Sequence, residues 1–119
     1  EETVNVAPEP PTTITIAANG STIERNAFSE TFRILTVASS GDLTLNSATI
    51  SGGSSYLGGG IRSDGVLEIN STTISGNTAY SVEGGGDGGG LYLCGDATIS
   101  SSTLSDNLAD SDGGAIFRR

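Results

Sequence analysis

The apolar residues of this chain fall into a repeating order set among Ser, Thr, Asn and Gly. Leu43 and Leu45, then Ile50, then Ile61 stand apolar; Leu67 and Ile69, then Ile74, then Leu91 and Leu93 repeat the order; Ala97 and Ile99, Leu104 and Ile116 repeat it again. Residues two apart on an extended chain point to one side, so each pair marks a short strand with one face inward. Leu45 to Ile69 and Ile50 to Ile74 are both 24 positions, and Ile69 to Ile99 and Ile74 to Leu104 are both 30. The two markers shift together, so the added residues lie elsewhere. The third marker places them: Ile50 to Ile61 is 11 positions but Ile74 to Leu91 is 17, which assigns the insertion to the loop 78–87.

A unit repeated at such a period, with three short strands each time, predicts a solenoid. The expected fold is all-β, a short right-handed parallel β-helix of about four coils over residues 12–119. Its hand follows from the bias of parallel crossovers. Each strand should pair with its equivalent one coil away, about 4.8 Å distant. Ile50, Ile74 and Leu104 should then stack as an interior column, with Thr49/Thr73/Thr103 and Ser51/Ser75/Ser105 as exterior ladders. The runs Gly58-Gly59-Gly60, Gly88-Gly89-Gly90 and Gly113-Gly114 precede the third strand, where positive φ and close backbone approach turn a corner. Residues 12–42 read as an irregular first coil. Thr13 to Ile16 and Ser21 to Glu24 are its strands, Asn19-Gly20 a turn and 25–31 a loop or single helical turn. Phe32 to Val37 is the longest run of strand formers.

Residues 1–11 differ from the rest. Thr3-Val4-Asn5-Val6 alternates like a strand, and Pro8-Glu9-Pro10-Pro11 enforces an extended link. The expected domain plan is therefore an N-terminal extended arm, 1–11, before the β-helix, 12–119.

Composition narrows the partners. The net charge is -9, with no Lys and no His, which argues against nucleic acid or an anionic membrane surface. No run approaches the roughly 20 apolar residues of a membrane span. The chain has no Met, which suggests a processed segment; removal of a secretory signal peptide is the simplest cause, with an extracellular or cell-surface location. Cys94 is the single cysteine, read as a small buried or half-buried residue or an intermolecular disulfide. Asn19-Gly20-Ser21 and Asn70-Ser71-Thr72 match the N-glycosylation pattern, although Asn46 holds the place matching Asn70 and a stacked asparagine serves there without sugar.

Catalysis needs carboxylates converging on one face. Glu68 is matched by Thr44 and Thr98 in the neighbouring coils, and Arg62 has no basic equivalent, so no enzyme and no cofactor is expected. Glu83, Asp87, Asp110 and Asp112 fall in successive loops and are weak Ca²⁺ candidates; a solvated acidic loop is the stronger reading. The threonine ladder is read as strand packing rather than an ice-binding face.

Residues 34–119 resemble a family of secreted bacterial β-helix proteins, akin to the polymorphic outer membrane protein repeats. The resemblance lies in Gly65-Val66-Leu67-Glu68-Ile69-Asn70-Ser71-Thr72-Thr73-Ile74-Ser75-Gly76-Asn77-Thr78-Ala79 and Asp112-Gly113-Gly114-Ala115-Ile116-Phe117. It implies a surface or extracellular protein, often adhesin-like. Two functions are expected. One is a structural subunit of an extracellular filament or surface assembly, a homopolymer built by head-to-tail stacking with N-terminal strand addition to a neighbour. Its interface would be Val4, Val6, Ile14, Ile16, Ile116, Phe117, Arg118 and Arg119. The proline link would hold the arm away from its own body, and Glu1 and Glu2 would meet Arg118 and Arg119. The other is an adhesin-like glycan- or surface-binding β-helix module cut from a longer secreted protein.

Overall fold

Alternating short strands joined by tight corners leave little choice of architecture, because one face of most strands is apolar and must be covered. The computed structural model describes the backbone of Val4–Val6 and the whole of residues 13–119. It is all-β, a parallel β-helix of about four coils. After β1 (Val4–Val6), the first coil holds β2 (Thr13–Ala17), β3 (Thr22–Glu24) and β4 (Leu35–Val37). The second holds β5 (Asp42–Asn46), β6 (Thr49–Ser51), β7 (Ser54–Ser55) and β8 (Ile61–Ser63). The third holds β9 (Val66–Asn70), β10 (Thr73–Ser75), β11 (Thr78–Ala79) and β12 (Leu91–Leu93). The fourth holds β13 (Ala97–Ser100), β14 (Thr103–Ser105), β15 (Leu108–Ala109) and β16 (Ile116–Arg118).

Four parallel sheets run along the solenoid: sheet A in the order β1-β4-β8-β12-β16, sheet B β2-β5-β9-β13, sheet C β3-β6-β10-β14 and sheet D β7-β11-β15. The register is the one the repeat predicts. Ile50, Ile74 and Leu104 are stacked partners, as are Thr49/Thr73/Thr103 and Ser51/Ser75/Ser105. Leu35, Leu43, Leu45, Ile50, Ile61, Leu67, Ile69, Ile74 and Leu91 are fully buried and form one continuous core.

The corners are built from stacked left-handed residues. Ser47, Ser71 and Ser101 turn sheet B into sheet C at φ 53, 50 and 49°. Gly52, Gly76 and Asp106 turn sheet C into sheet D at φ 74, 65 and 55°. At the corner before sheet A, Gly59 and Gly89 allow backbones to touch: a Cβ on Gly59 would run into the carbonyls of Thr78 and Gly89, and one on Gly89 into those of Leu108 and Gly114.

Three features differ from the sequence reading. Sheet D, expected as loop at 52–56, is formed by two-residue strands. The insertion is shorter than the ten-residue loop: β11 still pairs with β7, and Leu57 bridges Asp87, so only the six residues 81–86 are extra. Of Phe32–Val37 only Leu35–Val37 is strand, because the chain is still turning the corner that glycines turn in the next coil. Ile34 is buried there, while Arg33 Nη2 donates to Leu57 O at 2.8 Å and to Ser55 Oγ at 3.1 Å.

The arm is corrected in one respect. Alternation predicts the strand, and β1 forms, but it lies on its own body: Val4, Asn5 and Val6 pair in parallel with Leu35, Thr36 and Val37. The proline link does not hold it away. The edge of β4 would otherwise expose unpaired N–H and C=O groups, and a tethered strand is present there at roughly millimolar effective concentration. Glu1 and Glu2 lie outside the described residues, as does the link 7–12.

Candidate functional site: the two ends of the solenoid

A solenoid built from equal coils shows at each end the cross-section that its interior buries. At the C-terminal end Ile116 continues the column of Leu35, Ile61 and Leu91, which are fully buried, yet is 39% exposed. Leu108, at the edge of sheet D, is 60% exposed. Ile99 and Leu104 continue the columns of Ile69 and Ile74 and are only half-buried. At the N-terminal end Ile14 heads the column of Leu43 and Leu67 and is 38% exposed, while Ile16 and Ile23 are half-buried. The structure thus places Ile14 and Ile16 at one end, with β1, and Ile116, Phe117 and Arg118 at the other.

Both ends carry something besides apolar surface. Arg118 takes the register position of Leu93, one of the inward columns, but its side chain stays exposed and Nη1 donates to Gly95 O at 2.6 Å. A charge at such a position is one of the ways an open sheet edge is protected. Arg119 N–H donates to Leu93 O at 2.9 Å. Phe117 lies on the outer face, stacked on Tyr92 at 5.2 Å and 12°, and the Arg62 guanidinium sits 5.4 Å from the Tyr92 ring. At the other end the loop 25–31 is fastened by Arg25, whose Nε donates to Gly52 O at 2.7 Å and whose Nη1 donates to Ser29 O at 3.2 Å. It carries Phe28, 98% exposed.

The acidic loops do not converge. Asp87 Oδ1 accepts the Asp112 N–H at 3.1 Å and Asp110 Oδ2 accepts the Ser81 N–H at 2.9 Å, so these carboxylates fasten loops together. Glu83 is exposed at φ 56°. Among the described residues no three acidic or Cys side chains are grouped to hold a metal ion. Glu68 accepts from Asn70 Nδ2 at 2.9 Å, and Arg62 pairs with Asp64 at 3.2 Å. Asn70 is engaged in a polar ladder: its Nδ2 donates to Asn46 Oδ1 at 3.0 Å and its Oδ1 accepts from Ser100 Oγ at 2.6 Å. Cys94 is half-buried and free; burial pushes its thiol pKa up, and a hydrogen bond with Asp64 and the charge of that carboxylate push it the same way.

One constellation was missed from sequence. Asn77 is fully buried, its Oδ1 accepts the Gly53 N–H at 2.9 Å, and its Nδ2 donates to Ile50 O at 3.1 Å and to Asn107 Oδ1 at 3.0 Å. Asn107 Nδ2 in turn donates to Ile74 O at 2.8 Å. The signal was present, since Ser75-Gly76-Asn77 and Ser105-Asp106-Asn107 occupy the same phase of the repeat. The two asparagines bind one coil to the next behind sheet C, where the corner leaves backbone groups without strand partners. No protein-family model, no curated protein and no solved structure matches the chain.

Proposed function

We propose that this chain is a non-enzymatic structural subunit of an extracellular filament or surface assembly, in which β-helices stack head to tail and the N-terminal strand exchanges partners at the junction. The observation that carries this reading is the match of the two ends. Ile14, Ile16 and Ile23 at one end stand in the same columns as Ala97, Ile99 and Leu104 at the other. A contact between different ends is heterologous and does not close, so it propagates. The partner is the chain itself; no nucleic acid, inserted membrane or cofactor is part of the proposal. The extracellular setting rests on the resemblance of the repeats to surface proteins. Electron microscopy and sedimentation of the purified chain over a concentration series test it: filaments that lengthen with concentration are expected, and a monomer at every concentration would end it.

A second reading has its own support. Arg118 at an inward position and β1 across the edge of β4 are both devices that keep an open solenoid from pairing with others. They suit an adhesin-like module that works as a monomer and binds surface glycans. Binding of a monomer to a glycan array, with no filaments under the same conditions, would select it.

A further inference from the structure

We infer that the outer edge of β4 is the docking site for β16 of a second copy of this chain, and that β1 is its built-in competitor. The inference rests on the head-to-tail reading and adds to it the strand that receives the neighbour and the step that controls assembly. The argument is one of strand positions. Sheet A has five strands where sheets B and C have four, because β1 stands alone ahead of the first coil. A parallel β-helix rises by one strand spacing, about 4.8 Å, in each coil. A copy that sets its β13 against the next copy's β2, and its β14 against β3, therefore brings its β16 against β4. That place is the one β1 occupies.

The register makes the two strands equivalent. Val4 pairs with Leu35, and Ile116 stands in the same column through Leu91 and Ile61, so Val4, Asn5 and Val6 hold the positions that Ile116, Phe117 and Arg118 would take. If β1 stayed, sheets B and C of the two copies would be held apart by one further strand spacing, about 4.8 Å. Their edge N–H and C=O groups would stay unpaired and their apolar columns uncovered. Flush stacking and the β1–β4 pairing therefore exclude one another. For sheet A alone β1 is the better occupant, since it brings Val6 to the column where β16 brings Arg118. The neighbour displaces it only through what sheets B and C add: Ile99 covering Ile16, and Leu104 covering Ile23.

The test locks the strand in place. Asn5 and Thr36 are paired across the two strands, about 4.8 Å apart as parallel neighbours. That lies within the separation of about 4.4–6.8 Å that a disulfide spans. In a chain carrying Asn5→Cys, Thr36→Cys and Cys94→Ser, the oxidised form should fail to form filaments and reduction should restore them. Circular dichroism of the oxidised form checks that it is folded. Deleting residues 1–7 should shorten the lag of assembly, followed by light scattering, roughly tenfold or more, since a competitor at millimolar effective concentration is gone. Arg118→Leu should shorten it as well. Oxidised chains that assemble as fast as reduced ones, or a deletion that abolishes filaments, would overturn the competition while leaving the stacking intact. If the wild-type and reduced chains never assemble, the head-to-tail reading fails and this site with it.

Discussion

Asn77 shows how much one side chain can hold in a fold made of short strands. Asn77→Ala would leave the buried N–H of Gly53 without its acceptor and take the Nδ2 donor from the carbonyl of Ile50. Each such loss costs about 1–3 kcal/mol, so a destabilisation of about 2–4 kcal/mol is expected, read from urea denaturation. Asn107→Ala, in the outermost coil and partly wet, should cost less. The corner at residue 106 offers the opposite sign. Asp106 stands at φ 55° where the other coils have Gly52 and Gly76, and a left-handed residue with a Cβ costs about 1–2 kcal/mol. Asp106→Gly should therefore raise the denaturation midpoint, after the smaller entropic loss of glycine is offset. At Cys94 the raised pKa means less thiolate at a given pH, so alkylation at pH 8 should be slower than for a free cysteine thiol. Asp64→Asn should speed it, because the carboxylate holds the proton on sulfur; an unchanged rate would remove Asp64 from the account.

At the scale of the element, the loop 81–86 is an insertion into an otherwise regular coil. The bridge from Leu57 to Asp87 and the Tyr80 N–H bond to Ser55 O close the coil on either side of it. Deleting 81–86 should leave a cooperatively unfolding β-helix, because loop closure changes by less than about 1 kcal/mol for such a change in length. The losses are the bonds from Gly86 N to Tyr56 O, from Ser111 N to Gly86 O, from Ser81 N to Asp110 Oδ2 and from Ser111 Oγ to Gly85 O. The place of this insertion within the loop 78–87 and its length of six residues were legible from the marker spacings, but its exact bounds were not. Two-residue strands such as β11 carry no periodicity to read, and only their pairing with β7 and β15 separates them from loop. The loop 25–31 was read as a loop or single helical turn, but its fastening was not legible: Arg25 reaches the Gly52 carbonyl in the next coil, a contact no local pattern encodes.

At the scale of the whole molecule, the charge of -9 opposes any assembly of like copies. Screening shortens the Debye length from about 30 Å at 0.01 M salt to about 8 Å at 0.15 M. Filament growth should therefore be faster at the higher salt, measured by light scattering; growth slowed by salt would mean that attraction between opposite charges, not apolar stacking, joins the ends. The sequence by itself determined the period, the parallel register, the interior columns and the glycine corner before the third strand, because each coil repeats its neighbour and equal residues must stack. It also marked Val4–Val6 as a strand. Only the tertiary structure decided where that strand goes: it lies on β4 of its own chain, since the unpaired edge there is the nearest partner a short tether can reach. The same holds for the Asn77–Asn107 ladder and for Arg118, whose exposed charge at a core position appears only once Leu93 is seen beside it in the register.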